Sequence, residues 1–304
     1  MTTPRLELPG SLARVAAGPR TLEIDARWLM AYSAGLGETA PEYFDTLRPD
    51  GILAHPMFPV CYEWPLALDL RAASALRDEI AVRGVHATHD LRIHRPVRVG
   101  DRLATRARVT RVEQRRPGAY VVARHETVDA AGEPVTTTDY GSLYLGVACP
   151  TDSSPTPLPL SPDGREQGEG LPRGEGTEPA PIWSAVLPVA ATLAHVYTEC
   201  ARIWNPIHTD RAVARAAGLP AIILHGTATL ALAVSQVLRR EPRGPVAPVR
   251  RVVCRFGAMV EMPSVITVEG LGATETAEGR WVAFRVLTAE GRAAVRDGRV
   301  LVDD

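Results

Sequence analysis

The feature that most constrains this chain is a segment, residues 150–181, that separates two halves of ordinary domain size. It holds eight prolines and five glycines, with Ser, Thr, Asp, Glu and Arg filling most of the rest and no aromatic residue. Such a composition cannot bury enough apolar surface to offset its ordering entropy, so it predicts a disordered linker. With 304 residues in all, the chain is therefore predicted to form two domains, residues 1–149 and 182–304.

The two halves resemble each other in sequence. Residues 32–45 align without a gap over residues 197–210, and Tyr, Pro and Asp coincide in the two segments. Further along, residues 51–56 correspond to 221–226, and residues 95–101 to 258–264, if the first half has a shorter connection. Each match is weak alone, so chance remains an alternative to internal duplication.

Each half has the same predicted order of secondary structure. A polar segment is followed by an apolar stretch, seen most clearly at residues 227–238, which no Gly or Pro interrupts and which predicts a helix. Segments of alternating character then predict strands at 103–112, 119–128, 136–147, 250–258, 265–271, 281–287 and 293–302. A helix followed by a run of antiparallel strands predicts an α+β fold, with a sheet wrapped around a central helix.

Composition excludes several classes of function. The net charge is -1 and no basic tract is interleaved with aromatic residues, which argues against nucleic-acid binding. We find no signal-peptide core and no apolar stretch long enough to span a bilayer, so we expect a cytoplasmic protein without a membrane partner. The chain contains no lysine, which excludes Schiff-base chemistry and a P-loop. The four cysteines lack the paired spacing of a zinc site.

Residues 203–208 form the most informative motif, Ile-Trp-Asn-Pro-Ile-His, and Gly226 follows at the start of the predicted apolar helix. A histidine can act as a general base near neutral pH. A glycine at a helix entrance leaves its amide free to polarise a carbonyl oxygen, although it can also serve only close packing. The preceding His225 is expected to make a structural hydrogen bond. The motif predicts acid/base chemistry on an acyl group.

This motif, together with residues 217–220 and 223–226, resembles the MaoC-like family of R-specific enoyl-CoA hydratases and 3-hydroxyacyl dehydratases. The resemblance implies two tandem hot-dog domains that form a pseudo-dimer, with the working site in the second half and a degenerate first half. It implies an acyl thioester as substrate, carried on coenzyme A or a carrier protein, and reversible addition of water at the β-carbon. The reaction that the resemblance implies requires no metal or redox cofactor. His208 would transfer protons, Asn205 would orient it or a water, and the Gly226 amide would polarise the carbonyl.

The chain departs from the family motif, Asp-x-Asn-Pro-x-His, because Ile203 occupies the aspartate position. Three explanations are open. If residues 197–203 are helical, Glu199 lies one turn before Ile203 on the same face and would supply the carboxylate. The first half has Glu38 at the corresponding position, but Tyr43 there replaces the histidine and Pro56 replaces Gly226. In the third explanation the chemistry has changed and His208 acts alone or with groups of the substrate.

Two other classes of function compete with a hydro-lyase. One is a different thioester enzyme, a thioesterase or a cyclase, and the other is a binding or scaffolding protein that has lost catalysis with Ile203. His86, His89 and His94 lie close together in sequence, but side chains alternate between the faces of a strand, so no metal site is expected there. A homodimer of pseudo-dimers is a further expectation.

Overall fold

The computed structural model describes residues 6–149 and 179–303. The predicted linker, residues 150–181, lies outside the described residues except for 179–181, which precede the first strand of the second half. The exact domain boundaries at residues 149 and 182 stay predictions.

One antiparallel sheet of ten strands runs through the described part of the chain. Its spatial order is β1-β3-β4-β5-β2-β7-β10-β9-β8-β6, so the second half repeats the strand order of the first in reverse. This is the arrangement expected of two copies of one unit joined through their β2 and β7 strands. The strands are β1 (Ala16–Glu23), β2 (Gly84–Ile93), β3 (Arg102–Arg115), β4 (Gly118–Val128), β5 (Pro134–Leu145), β6 (Trp183–Val189), β7 (Val249–Phe256), β8 (Ser264–Thr276), β9 (Gly279–Thr288) and β10 (Ala293–Val302).

Two helices pack against the inner face of this sheet. The longest in each half, α2 and α6, begin shortly after the matched His55 and His225. The α6 helix spans the predicted apolar stretch, and its Ala, Leu and Val side chains are buried. A helix enclosed by a sheet in each half confirms the α+β prediction. The helices are α1 (Ala26–Gly35), α2 (Pro59–Ala73), α3 (Asp78–Ala81), α4 (Leu193–Ala201), α5 (Arg211–Ala216) and α6 (Gly226–Leu238).

Four short 3-10 turns complete the fold, and two of them lie at matched positions, Pro41–Tyr43 and Pro206–His208. Proline suits the first position of each turn because its φ is fixed and its missing N–H would be unpaired there. The other two are Gly10–Arg14 and Gly244–Val246. The repeated turn therefore presents Tyr43 in one half and His208 in the other.

The two halves meet along a pseudo-twofold axis. Strand β2 pairs with β7 from Thr88 opposite Arg255 to Arg92 opposite Arg251. On the inner side, the matched tyrosines Tyr32 and Tyr197 meet, with ring centroids 5.8 Å apart. Both are fully buried, and one apolar core continues through the two halves. The duplication inferred from weak sequence matches is therefore visible in the strand order and at the axis.

The outer face of the sheet is charged. Cross-strand ion pairs join Arg124 to Asp139 at 2.7 Å, and Arg251 to Asp90 at 2.6 Å across the seam between the halves. Such pairs each contribute on the order of 0.2–1 kcal/mol, so they fix strand register more than they stabilise the fold. The chemistry-bearing side chains lie on the other, inner face. In residues 6–149 and 179–303, no helix has the length and apolarity required to cross a bilayer.

Candidate active site

His208 ends the 3-10 turn between α4 and α5. Its backbone N–H donates to the Asn205 carbonyl at 3.1 Å, and Asp210 just beyond it caps α5 by accepting from two backbone amides. The turn therefore holds the histidine between two fixed points of the chain. Asn205 is half-buried one turn before His208, and within the described part of the chain its side-chain amide has no hydrogen-bond partner.

The hydrogen bond made by His208 determines its tautomer. Nδ1 lies 2.8 Å from the carbonyl oxygen of Ile223, and a carbonyl can only accept, so Nδ1 carries the proton. Burial lowers the pKa of His208 to about 4, which keeps the ring neutral near pH 7. The Nε2 atom then has a free lone pair. His208 is thus prepared as a proton acceptor, and its ring remains partly exposed.

His225 stacks on His208 and lies directly before α6. The two ring centroids are 3.7 Å apart and the planes are inclined by 28°. His225 Nε2 lies 3.3 Å from the Thr198 hydroxyl of α4, which is the structural hydrogen bond expected for this residue. Burial, followed by the neighbouring His208, lowers the pKa of His225 to about 2. Both imidazoles of the stacked pair are therefore neutral near pH 7.

Gly226 is the first residue of α6 and is partly exposed. Its backbone amide has no hydrogen-bond partner among the described residues, as expected at a helix N-terminus. A Cβ at this position would lie 3.2 Å from Cε1 of Phe256, so close packing also favours glycine. The packing role and the free amide therefore coexist. The structure brings His208 and Gly226 to the same end of α6.

Ile203 lies outside α4, contrary to the helical interpretation of residues 197–203. The helix ends at Ala201, Arg202 adopts a left-handed conformation with φ of 58°, and the Ile203 N–H donates to the Thr198 carbonyl at 3.1 Å. The Ile203 side chain is 5% exposed and packs in the main core. Hydrocarbon therefore occupies the position that matches Glu38 of the first half.

The premise for Glu199 is consequently wrong, because Ile203 does not follow it on one helical face. Glu199 is exposed and lines a cleft of about 380 Å³ between α1 and α4, with Arg27, Trp28 and Arg202 among its neighbours. Thr198, one residue earlier, turns inward and hydrogen-bonds to His225, and the ring of Tyr197 in the same helix lies 5.0 Å from the His225 ring. The structure thus places Thr198, and not Glu199, in contact with the histidine pair.

Comparison with known proteins identifies the family. The family model described as MaoC like domain matches residues 183–280, and the one described as FAS1-like, dehydratase domain region matches residues 13–138. This chain belongs to the MaoC-like family. A comparison of the MaoC-like protein with curated proteins gives no match.

Several solved structures superpose on nearly the whole length of the MaoC-like protein. A MaoC-like dehydratase from Phytophthora capsici superposes with a TM-score of 0.78 and 20% identity, over 97% of each chain. A Mycobacterium tuberculosis protein described as having a double hotdog fold gives 0.56 and 18%, over 94% of each chain. The 12:0-ACP thioesterase from Umbellularia californica gives 0.54 and 10%, over 94% of this chain and 93% of that one. At these identities the likeness establishes the fold, two tandem hot-dog domains.

The first half of the MaoC-like protein has a closed counterpart of this site. Tyr43 takes the place of His208 and is 1% exposed, with its ring centroid 5.9 Å from that of His55. His55 Nδ1 accepts from the Met57 N–H, so its Nε2–H donates to the Ser235 hydroxyl of α6. Both nitrogens of His55 are therefore engaged, and the buried tyrosine is no neutral-pH base.

Glu38, the carboxylate of the first half, is also engaged. Its side chain is 3% exposed and accepts from the Arg239 guanidinium at 2.9 Å, just beyond the C-terminal end of α6. The distance along α6 from Gly226 to Arg239 is about 20 Å, at 1.5 Å per residue. Glu38 therefore lies at the opposite end of α6 from His208 and does not replace the carboxylate missing at Ile203.

Proposed function

We propose that the protein adds water reversibly to the β-carbon of a 2-enoyl thioester, with the reverse dehydration of the 3-hydroxyacyl thioester at the same site. The observation that carries the proposal is a neutral histidine with a free Nε2 beside the unpaired amide of a helix N-terminus. His208 is the proton-transfer residue, and the Gly226 amide receives the thioester oxygen. Coenzyme A or a carrier protein bears the acyl group.

The reaction balances with a single base. Nε2 of His208 accepts one proton from water while the water oxygen bonds to the β-carbon and the electron pair of the double bond moves toward the thioester oxygen. The Gly226 amide and the positive end of the α6 dipole stabilise the resulting enolate. The imidazolium then returns the proton to the α-carbon. One equivalent of water is added, and no oxidant or reductant is consumed.

Asn205 is the group that we propose orients the water. Its half-buried side-chain amide offers both a donor and an acceptor, and it lies on the same turn as His208. In this scheme the amide partly substitutes for the carboxylate that Ile203 replaces, since it can hold a water but cannot take its proton. Water activation then depends on His208 alone.

The test is incubation with crotonyl-CoA, longer 2-enoyl-CoA and 3-hydroxyacyl-CoA thioesters, followed by mass spectrometry of the products. Interconversion of enoyl and 3-hydroxyacyl thioesters supports the proposal. Release of free coenzyme A would instead indicate a thioesterase, a function hosted by the same fold in the Umbellularia protein. Saturable binding without turnover would indicate a scaffold protein and would contradict the proposal.

Ile203→Asp is a companion test, with Ile203→Asn as the matched control that has no carboxylate. We expect hydration to rise by less than about tenfold, because His208 already performs the proton transfer that a general acid/base group contributes. The buried aspartate should also lower the free energy of unfolding by about 3 kcal/mol. A gain beyond about a hundredfold would mean that the native site serves another reaction, such as cyclisation by an internal hydroxyl of the substrate.

Two further predictions concern the protein in solution. We propose that two pseudo-dimers pair, which light scattering at several concentrations would test. We also propose a cytoplasmic location, which imaging or fractionation of the full-length protein would test.

A further inference from the structure

The inner face of the sheet in the first half carries buried polar side chains among its apolar ones, such as Leu91 and Leu103. Six side chains of β2, β3, β4 and β5 on this face are at most 1% exposed: His89, Thr105, His125, Thr127, Thr136 and Thr138. The corresponding face in the second half is hydrocarbon, with Ile266, Val268, Phe284, Val286, Val295 and Val300 fully buried. Each polar group that is buried under a hot-dog sheet requires a hydrogen-bond partner.

Most of the hydroxyl groups have partners within the protein. Thr105 and Thr127 hydroxyls lie 3.0 Å apart, and the Thr136 hydroxyl lies 2.8 Å from the Tyr62 hydroxyl of α2. Thr138 donates to Oε1 of Glu63 at 2.6 Å. Burial raises the pKa of Glu63 to about 7. These contacts give each of the four threonine hydroxyls a hydrogen-bond partner, but they involve neither histidine.

His89 and His125 are the exception. Each imidazole is 1% exposed. Neither ring nitrogen of His89 has a hydrogen-bond partner among the described residues, and the ring of His125 has none of good geometry beyond an approach to the backbone of Thr138. Burial lowers the pKa of each histidine to about 4, so each ring is neutral and presents one donor and one acceptor. Buried polar atoms without good hydrogen-bond partners are unfavourable, and we call the buried surface that carries His89 and His125 the polar chamber.

Tyr140 stands between the two histidines. Its ring centroid lies 6.4 Å from that of His89 and 6.5 Å from that of His125, with steep interplanar angles of 82° and 69°. No group of three or more His, Cys, Asp or Glu in residues 6–149 and 179–303 is arranged to hold a metal ion. The free nitrogens therefore suit an uncharged hydrogen-bonding ligand, such as a hydroxyl or a carbonyl oxygen.

A continuous path of side chains links this polar chamber to the candidate active site. A β-bulge at Ala87 shifts the register of β2, and His86 stacks on Tyr140 with ring centroids 3.5 Å apart. His86 also lies 4.4 Å from the ring of Phe256, the side chain packed against Gly226. His86, Tyr140 and Phe256 are only partly buried, in contrast to His89 and His125 at the base.

We infer that the acyl chain of the substrate carries an oxygen function beyond its β-carbon and that His89 and His125 bind it. The inference rests on the proposed function, since the thioester carbonyl at Gly226 directs the chain past Phe256 and His86. Because the chamber is polar, a plain alkyl chain would bury the unpaired imidazole nitrogens without providing a hydrogen bond. The site therefore selects hydroxylated or oxo acyl groups over fatty chains.

The test uses the whole protein and 2-enoyl-CoA thioesters of equal length. One has an unsubstituted chain, and the others carry a single hydroxyl at successive positions from mid-chain to the end. We expect kcat/KM for the best-placed hydroxyl to exceed that of the alkyl chain by about tenfold, which one additional buried hydrogen bond provides. An equal or higher kcat/KM for the alkyl chain would overturn the inference and leave the proposed function intact.

Single-residue variants test which side chains cause the preference for hydroxylated acyl chains. His89→Leu and His125→Leu should abolish it while the alkyl substrate is still turned over, and both should raise the thermal midpoint because they remove unpaired polar atoms. His94→Leu, at an exposed position just beyond β2, is the matched control and should keep the preference. Retention of the full preference in both chamber variants would contradict the assignment to these residues.

Binding separates this inference from the proposed function. Calorimetry with saturated and hydroxylated acyl-CoA thioesters needs no turnover. If hydration is absent but the hydroxylated thioester binds about tenfold more tightly, and leucine variants remove the difference, the chamber is supported and the hydratase proposal fails. Equal binding of the two chains would overturn the chamber assignment.

Discussion

The two halves carry the same loop in two different chemical states. In the second half it presents His208, partly exposed and neutral, beside the free amide of Gly226. In the first half, Tyr43 is buried and Pro56 has no amide hydrogen. The first half has a carboxylate, Glu38, without a histidine, and the second has a histidine without a carboxylate. In the first copy the loop is therefore part of the packed core, whereas in the second copy it presents a candidate base.

The buried interiors of the two halves also differ in polarity, and here the first half is the more polar. The α6 helix is enclosed by Val, Ile and Phe, whereas α2 places Glu63 against a threonine and histidine lining. The half without the candidate base therefore has the more polar interior. This comparison suggests a division of roles, in which the second half transforms the thioester and the first half receives the rest of the acyl chain.

The largest effect should come from His208→Ala. Removing the only proposed base should reduce kcat/KM for hydration by about 10²- to 10⁴-fold, because general acid/base groups contribute that much. The measurement is loss of the ultraviolet absorbance of the conjugated enoyl thioester. Tyr43→Phe is the matched change in the first half, and it should leave kcat/KM within about twofold. Similar losses in the two variants would break the contrast between the halves.

Gly226→Pro should have the next largest effect, because it gives the second half the proline of the first. Proline is accepted at the first position of a helix, and His225 already has the extended ψ of 135° that suits a residue before proline. Loss of the amide hydrogen should reduce kcat by about 10²- to 10³-fold.

Gly226→Ala is the control for Gly226→Pro. It keeps the amide hydrogen but adds the Cβ that meets Phe256 at 3.2 Å. We expect a smaller loss for alanine than for proline, with circular dichroism to check that both fold. Equal losses would assign Gly226 a packing role alone.

Much of this comparison could be predicted from the sequence. The α6 helix and seven of the ten strands follow from apolar patterning. Three strands, β1, β2 and β6, were not among the predicted segments. Strands β1 and β6 lie at the two edges of the sheet and contain Pro19 and Pro188, which only edge strands tolerate. Their exposure and prolines hid them from a search for alternation.

The site was harder to predict because it depends on local irregularities of the backbone. The left-handed Arg202 ends α4 early, which removes Ile203 from the helical face assumed for Glu199. The bulge at Ala87 allows His86 to join His89, although their spacing in a regular strand would place them on opposite faces. Contacts between His208 and His225, or between His89 and Tyr140, join segments that only the tertiary fold brings together.

Acid should destabilise the protein, because burial lowers the pKa of histidines in the first half, His55, His86, His89 and His125, and of His208 and His225 in the second. His55, His89 and His125 have their pKa lowered to about 4 by burial, whereas the unfolded chain binds the same protons near pH 6.5. Stability present above pH 6.5 is therefore lost as the pH falls toward 4, by roughly 1 kcal/mol per pH unit for each histidine. Glu63, with its pKa raised to about 7, opposes this loss between pH 7 and 4.5.

Urea unfolding at a series of pH values measures this dependence. His89→Leu and His125→Leu should each flatten it by roughly 1 kcal/mol per pH unit between pH 6 and 5. His94→Leu, at an exposed site, should not change it. An unchanged slope in both chamber variants would mean that these imidazoles are hydrated in the folded protein and titrate normally.

Glu38→Gln should have the smallest effect and sharpens the comparison furthest. Glu38 is paired with Arg239 about 20 Å along α6 from Gly226, so its charge should not influence proton transfer at His208. Glutamine can still accept a hydrogen bond from Arg239, and we expect unfolding to become easier by about 1 kcal/mol with kcat/KM within about twofold. A loss of tenfold or more in kcat/KM, without unfolding, would show that the carboxylate of the first half serves the histidine of the second. In that case the duplicated halves would share one acid/base pair, and the separation of their roles would be wrong.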